Sequence, residues 1–117
     1  MNKKTVNILG TEWTIMFAEH YSDFPDLENS DGTTDAYAKV IHVNTDFSRD
    51  GVLSTEAPQE CVNKIVRHEI IHAFMHESGL RENWKHADEF GHDETTVDWI
   101  AIQAPKIFEV FKQLEIM

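Results

Sequence analysis

Val62-Asn63-Lys64-Ile65-Val66-Arg67-His68-Glu69-Ile70-Ile71-His72-Ala73-Phe74 is the stretch around which the rest of this 117-residue chain must be arranged. Its apolar residues (Val62, Ile65, Val66, Ile70, Ile71, Ala73, Phe74) occupy nearly the whole helical circumference, and no Gly or Pro interrupts them. The spacing predicts a helix from about Glu56 or Ala57 to Ser78. Thr55 or Ser54 can cap it, Pro58 is tolerated in its first turn, and Gly79 stands where a C-terminal stop belongs. A helix that is apolar on most sides is a buried one.

Working outward, the N-terminal segment alternates. Val6 and Ile8, then Trp13, Ile15 and Phe17, flank Gly10-Thr11 and predict a hairpin or two short strands. Residues 18–35 are acidic and rich in turn formers, and read as a loop. Ala36 to Val43 alternates again and reads as a third strand. A second loop, Asn44 to Thr55, leads into the long helix. Beyond it a connector from Leu80 to Gly91 carries Trp84 and His86. A last helix is expected from about Asp93 to Ala104, with Val97, Ile100, Ala101 and Ala104 on one face. Pro105 should kink or divide it, with Ile107 to Leu114 continuing as a terminal helix. The reading is α+β, a single domain over 1–117, with a small three-stranded sheet packed on two or three helices.

A formal net charge of −11 repels phosphate backbones, and no Lys/Arg run overrides it. Nucleic acid and anionic membrane are therefore not expected partners. Cys61 is the single cysteine, so no internal disulfide can form, which fits a reducing compartment. The N-terminal residues are too short and polar a run for a signal peptide. No stretch approaches the roughly 18 to 20 apolar residues of a membrane span, and a cytoplasmic protein is expected. The acids from Asp23 to Asp35 lack the ligand spacing and central Gly of a calcium loop.

Chemistry enters at His68-Glu69-Ile70-Ile71-His72. Residues i and i+4 share a helical face about 6 Å apart along the axis, so two imidazoles can converge on one ion. Glu69, rotated by about 100°, cannot easily join them, yet it can reach a water bound to that ion. Two metal ligands and one general base follow from that geometry. A catalytic zinc takes a third protein ligand and keeps one position for water. His76, His86, His92, Asp93 and Glu94 are the candidates. His76 lies about 12 Å along the helix from His68, too far to share its ion. A further extended pattern, H-E-x-x-H-x-x-G-x-x-H, is excluded because Met75 and Ser78 stand at its Gly and last His positions. Glu94 and Asp98, spaced i, i+4 on the following helix, offer a carboxylate for the metal and another for the free N–H of a ligating histidine. Glu94 is the favoured ligand and His92 the alternative. Zinc suits His, His and carboxylate, although iron, cobalt or manganese can occupy similar sites.

At these residues the chain resembles the gluzincins, thermolysin-like zinc peptidases in which H-E-x-x-H is followed on a second helix by a ligand Glu and, four residues on, an Asp. Glu94 and Asp98 match that arrangement. The short format is similar to the ImmA/IrrE-type metallopeptidases and to small H-E-x-x-H proteins of bacterial prophage regions. The resemblance implies a minimal zincin-like fold, with His68, His72 and Glu94 holding Zn2+ and Glu69 as general base of peptide hydrolysis. It also implies an edge strand beside the active-site helix that binds an extended protein or peptide substrate by backbone pairing; Ala36–Val43 is the candidate.

Thermolysin-like enzymes draw an oxyanion-stabilising Tyr or His from extra domains. His86, His92, Tyr37 and His42 are the residues here that can serve, and no spacing decides among them. Trp84 and Trp99 read as core or hinge anchors. Cys61 shares a helical face with Ile65 and His68, where a small buried hydrophobe is the default. Two other functions compete with a zinc metallopeptidase. A non-catalytic, zinc-stabilised binding module has no need of Glu69. A DNA-associated protease of the SprT type calls for basic character that this chain lacks.

Overall fold

The computed structural model describes residues 2–47, 56–80 and 94–117, except for the side chains of 94, 95, 97, 98 and 101. Strands β1 (Asn2–Ile8) and β2 (Thr11–Ala18) form an antiparallel hairpin with Ile8 opposite Thr11 and Val6 opposite Trp13. Leu9 and Gly10 between them have φ of 52° and 95°, the doubly positive pair of a turn whose twist matches that of the strands. Asn7 Oδ1 accepts the Gly10 N–H at 2.9 Å and steadies it.

Two further strands, β3 (Gly32–Asp35) and β4 (Val40–Asn44), complete a sheet of order β1-β2-β4-β3. β4 runs parallel to β2 and antiparallel to β3. This corrects two expectations. The sheet has four strands, because Gly32-Thr33-Thr34-Asp35 is strand within a segment read as loop. It carries no apolar alternation and is held at the sheet edge by its ladder to β4. Conversely, Ala36–Val43 is not one edge strand. Its first half turns, with Asp35 Oδ1 accepting the N–H groups of Tyr37 and Ala38 at 3.0 Å and Lys39 at φ 58°. Its second half lies inside the sheet, and the edge belongs to β3.

Helix α1 (Pro58–Glu77) covers one face of the sheet, as the apolar stretch demands. Trp13, Ile15, Ile41 and Val43 are wholly buried beneath Val66, Ile70 and Phe74. Its N-cap residue is Ala57, which offers no side-chain bond; Thr55 and Ser54 lie outside the described residues. At the other end Gly79 takes φ 81° and donates to the His76 carbonyl at 3.3 Å, with Leu80 buried behind it. That is the left-handed stop expected of a glycine there.

Glu77, in the last turn of α1, ties the helix to the hairpin. Its carboxylate accepts from Trp13 Nε1 at 2.9 Å and Thr11 Oγ1 at 3.1 Å, and pairs with Lys39 Nζ at 3.0 Å. Burial raises its pKa, but the bonds from Lys39, Trp13 and Thr11 and the Lys39 charge outweigh that and hold it below the usual carboxylate value.

Helix α2 (Glu94–Gln113) packs Ile107, Val110 and Phe111 into the same core. It runs through Pro105 as one element, where a division was the alternative. Proline removes one hydrogen bond, and the buried side chains one turn later hold the helix in register across the gap. Trp99 Nε1 donates to Ser78 Oγ at 2.7 Å, pinning α2 beside the end of α1 and giving Trp99 the anchoring role expected of it. The chain then turns back at Glu115 (φ 57°), buries Leu114 and Ile116, and presents the Ile116 carbonyl to Arg67 Nη1 of α1.

On the sheet face away from α1, two short 3-10 turns (Tyr21–Asp23 and Pro25–Leu27) cover β4. Leu27 is buried, and Phe24 stacks on His42 with ring centroids 3.7 Å apart. No helix among the described residues is long and apolar enough to cross a membrane.

Candidate metal centre

The H-E-x-x-H residues sit in the middle of α1, where the helix is regular and the i, i+4 spacing is converted directly into position. His68 Nε2 and His72 Nε2 stand 3.2 Å apart, with the rings edge-to-face at a centroid distance of 4.9 Å. Two nitrogens bound at roughly 2.1 Å to one tetrahedral ion lie about 3.4 Å from each other. The observed separation is close to that spacing. Glu69 Oε2 is 3.9 Å from His68 Nε2. One potential ligand atom from each of His68, Glu69 and His72 lies within 4.8 Å of the others.

Burial divides these residues, although a helix apolar on most sides was expected to be buried. The His68 side chain is 68 % exposed, and His72 is partly exposed. Glu69 alone is buried, at 5 % exposure. The apolar residues of α1 face the sheet over a broad arc but leave the histidine stripe open. An unpaired buried carboxylate is costly, and Glu69 has a partner. Thr34 Oγ1 of β3 lies 3.1 Å from Glu69 Oε1 and 3.3 Å from the Glu69 carbonyl oxygen. Gly32 of the same strand approaches so closely that a Cβ there would stand 2.9 Å from Glu69 Cγ. Sequence reasoning missed Thr34 and Gly32 together with their strand.

Between β3 and α1 lies a cleft of ≈ 380 Å³, bounded by Asp31 and Gly32 on one side and by Cys61, Lys64, Ile65, His68 and Glu69 on the other. Cys61 is half-buried in its wall. It stands seven residues, about 10 Å along the axis, from His68, so it does not share an ion with the histidines. A larger cavity of ≈ 580 Å³ opens near Lys4, Phe17, Asn63 and Leu114. No histidine lines it, so volume is a poorer guide than ligand geometry here.

The remaining expected site residues fall in three groups. His42 lies on the wrong face of the sheet. Its neighbours Ile41 and Val43 are buried against α1, so strand alternation points His42 away. There its Nδ1 meets Asp26 Oδ2 at 2.9 Å, while Thr33 Oγ1 donates to the same oxygen. Burial raises the Asp26 pKa, but the bonds from Thr33 and His42 and the His42 charge bring it below the ordinary value. Tyr37 is fully exposed on the turn between β3 and β4. Glu94 begins α2 and Asp98 follows within it, but both side chains lie outside the described residues, as do His86, His92 and Asp93. Comparison of the chain with protein-family models, curated proteins and solved structures found no match.

Proposed function

We propose that the protein is a zinc metallopeptidase of minimal zincin-like design, acting on a protein or peptide substrate, with His68, His72 and Glu94 as metal ligands and Glu69 as general base. The supporting observation is the pair of Nε2 atoms 3.2 Å apart with the buried Glu69 carboxylate beside them. A purely structural metal site does not require a carboxylate beside the ion-facing nitrogens of its ligands. Zinc in this position supplies Lewis acidity, favouring loss of a proton from water near neutral pH.

Glu69 then accepts that proton as the water oxygen bonds to the scissile carbonyl carbon, and delivers it to the amine nitrogen as the C–N bond breaks. The edge of β3 opposite β4 bears no strand among the described residues. An extended peptide lying along it runs past Glu69 and the cleft, which is how strand addition presents a backbone carbonyl to a neighbouring group.

Metal analysis tests the reading. Purified wild-type protein should hold one zinc, Glu69→Gln should hold it equally, and Glu94→Ala should lose it. A folded wild type that binds no zinc sinks the proposal. Retention of zinc by Glu94→Ala removes Glu94 from the ligand set.

A further inference from the structure

Glu69 is held from one side, by the edge strand. Thr34 Oγ1 bonds Oε1 at 3.1 Å, whereas Oε2 is the oxygen 3.9 Å from His68 Nε2. The two carboxylate oxygens thus have different surroundings, one anchored on β3 and one turned toward the histidines. A threonine hydroxyl has one hydrogen to give, and both acceptors within its reach, Oε1 and the Glu69 carbonyl, belong to the same residue. Two residues earlier on the same strand face, Gly32 leaves room for the glutamate stem. A Cβ there would meet Glu69 Cγ at 2.9 Å and Ile65 Cγ2 at 2.8 Å. A glutamate side chain has three torsions and samples several rotamers unless its surroundings select one. Here the strand selects it twice, by shape at Gly32 and by a hydrogen bond at Thr34.

We infer that Thr34 is a positioning residue for proton transfer: its hydroxyl fixes Oε1 of Glu69 and so makes Oε2 the oxygen that takes and returns the proton. In this role Thr34 acts through Glu69 and does not itself carry the proton. The inference rests on the reading of Glu69 as general base.

Full-length Thr34→Val and Thr34→Ser provide the test, since valine keeps the shape without the hydroxyl and serine keeps the hydroxyl. Zinc content of both should match the wild type, and so should the melting temperature of Thr34→Ser, whereas Thr34→Val should melt lower because it leaves a buried carboxylate without its partner. Three-bond NMR couplings of the Glu69 side chain, measured on metal-free protein, should report one rotamer in wild type and Thr34→Ser and averaging in Thr34→Val. With a quenched-fluorescence peptide that the wild type cleaves, Thr34→Val should lose about tenfold in kcat at unchanged KM, the pattern of a misplaced catalytic group, and Thr34→Ser should recover it. Unchanged couplings and kcat in Thr34→Val overturn the inference. So does an equal loss in Thr34→Ser, or a loss of zinc in Thr34→Val, since either makes the role steric or structural. If Thr34→Val does not fold, Gly32→Ala displaces the same side chain at its stem and should give the same changes in coupling and kcat. Failure of the peptidase reading looks different: the wild type cleaves nothing while the couplings still respond, which leaves Thr34 holding a carboxylate that is no base and overturns its part in proton transfer.

Discussion

Glu69 and its two histidine neighbours differ in what each can lose. Glu69→Gln preserves size and can still accept from Thr34, but it cannot take a proton. It should keep zinc while lowering the hydrolysis rate by about 10²- to 10⁴-fold, the usual contribution of a general base. Peptide turnover and metal content measured on the same preparation check this, and wild-type-like turnover removes Glu69 from the mechanism. His72→Ala should instead lose the metal and the activity together. The clustering of His68, Glu69 and His72 was legible in the sequence because helical geometry is local, and five consecutive residues suffice to place two imidazoles and a carboxylate. The partner of Glu69 was not. Thr34 lies 35 residues away, and only the fold brings the two together.

At the scale of elements, the long helix and the hairpin could be read because each buries side chains at its own period. β3 could not, since Gly32, Thr33, Thr34 and Asp35 are polar or small and owe their strand conformation to β4. Its neighbour Ala36–Lys39 shows the converse, an apparent alternation overruled by the bonds that Asp35 makes to the turn. The C-terminal end of α1 offers a direct test of local control. Gly79, at φ 81°, has open space where a side chain would go, so alanine there meets only backbone strain. Gly79→Ala should destabilise the fold by about 1 kcal/mol, measured by urea unfolding. An unchanged midpoint shows that the helix ends without help from that glycine.

The whole molecule should be sensitive to acid through two carboxylates that anchor separate parts of it. Glu77 joins α1 to the hairpin and to Lys39, and Asp26 joins the segment over the sheet to His42 and Thr33. Both have folded-state pKa values lowered from 4.5 and 3.8 respectively. Their contribution is therefore present above those unfolded values and is lost as pH falls through the lower, folded ones. Melting temperature should be flat near neutral pH and fall below about 4.5. Glu77→Gln keeps an acceptor for Trp13 but removes the charge, so its neutral-pH stability should drop and its acid slope should flatten. An acid slope equal to that of the wild type places the sensitivity elsewhere. Metal linkage adds a second dependence: a chelator should lower the melting temperature of zinc-loaded protein, by mass action on the folded state.

Arg67, one residue before the first histidine, reaches the carbonyl of Ile116, and Ile116 itself is buried. The helix that bears the histidines is therefore braced from behind by a residue 49 positions further along the chain. Contacts so far apart in the chain form late and slow the search for the native state. A nascent chain paused before residue 116 has left the ribosome already carries every residue of the H-E-x-x-H motif, but not the clasp behind it. Arrest at that point should leave α1 open to digestion by an added protease, and emergence of residue 116 should close it. Under the proposed function, such ordering separates synthesis from activity without a separate inhibitor.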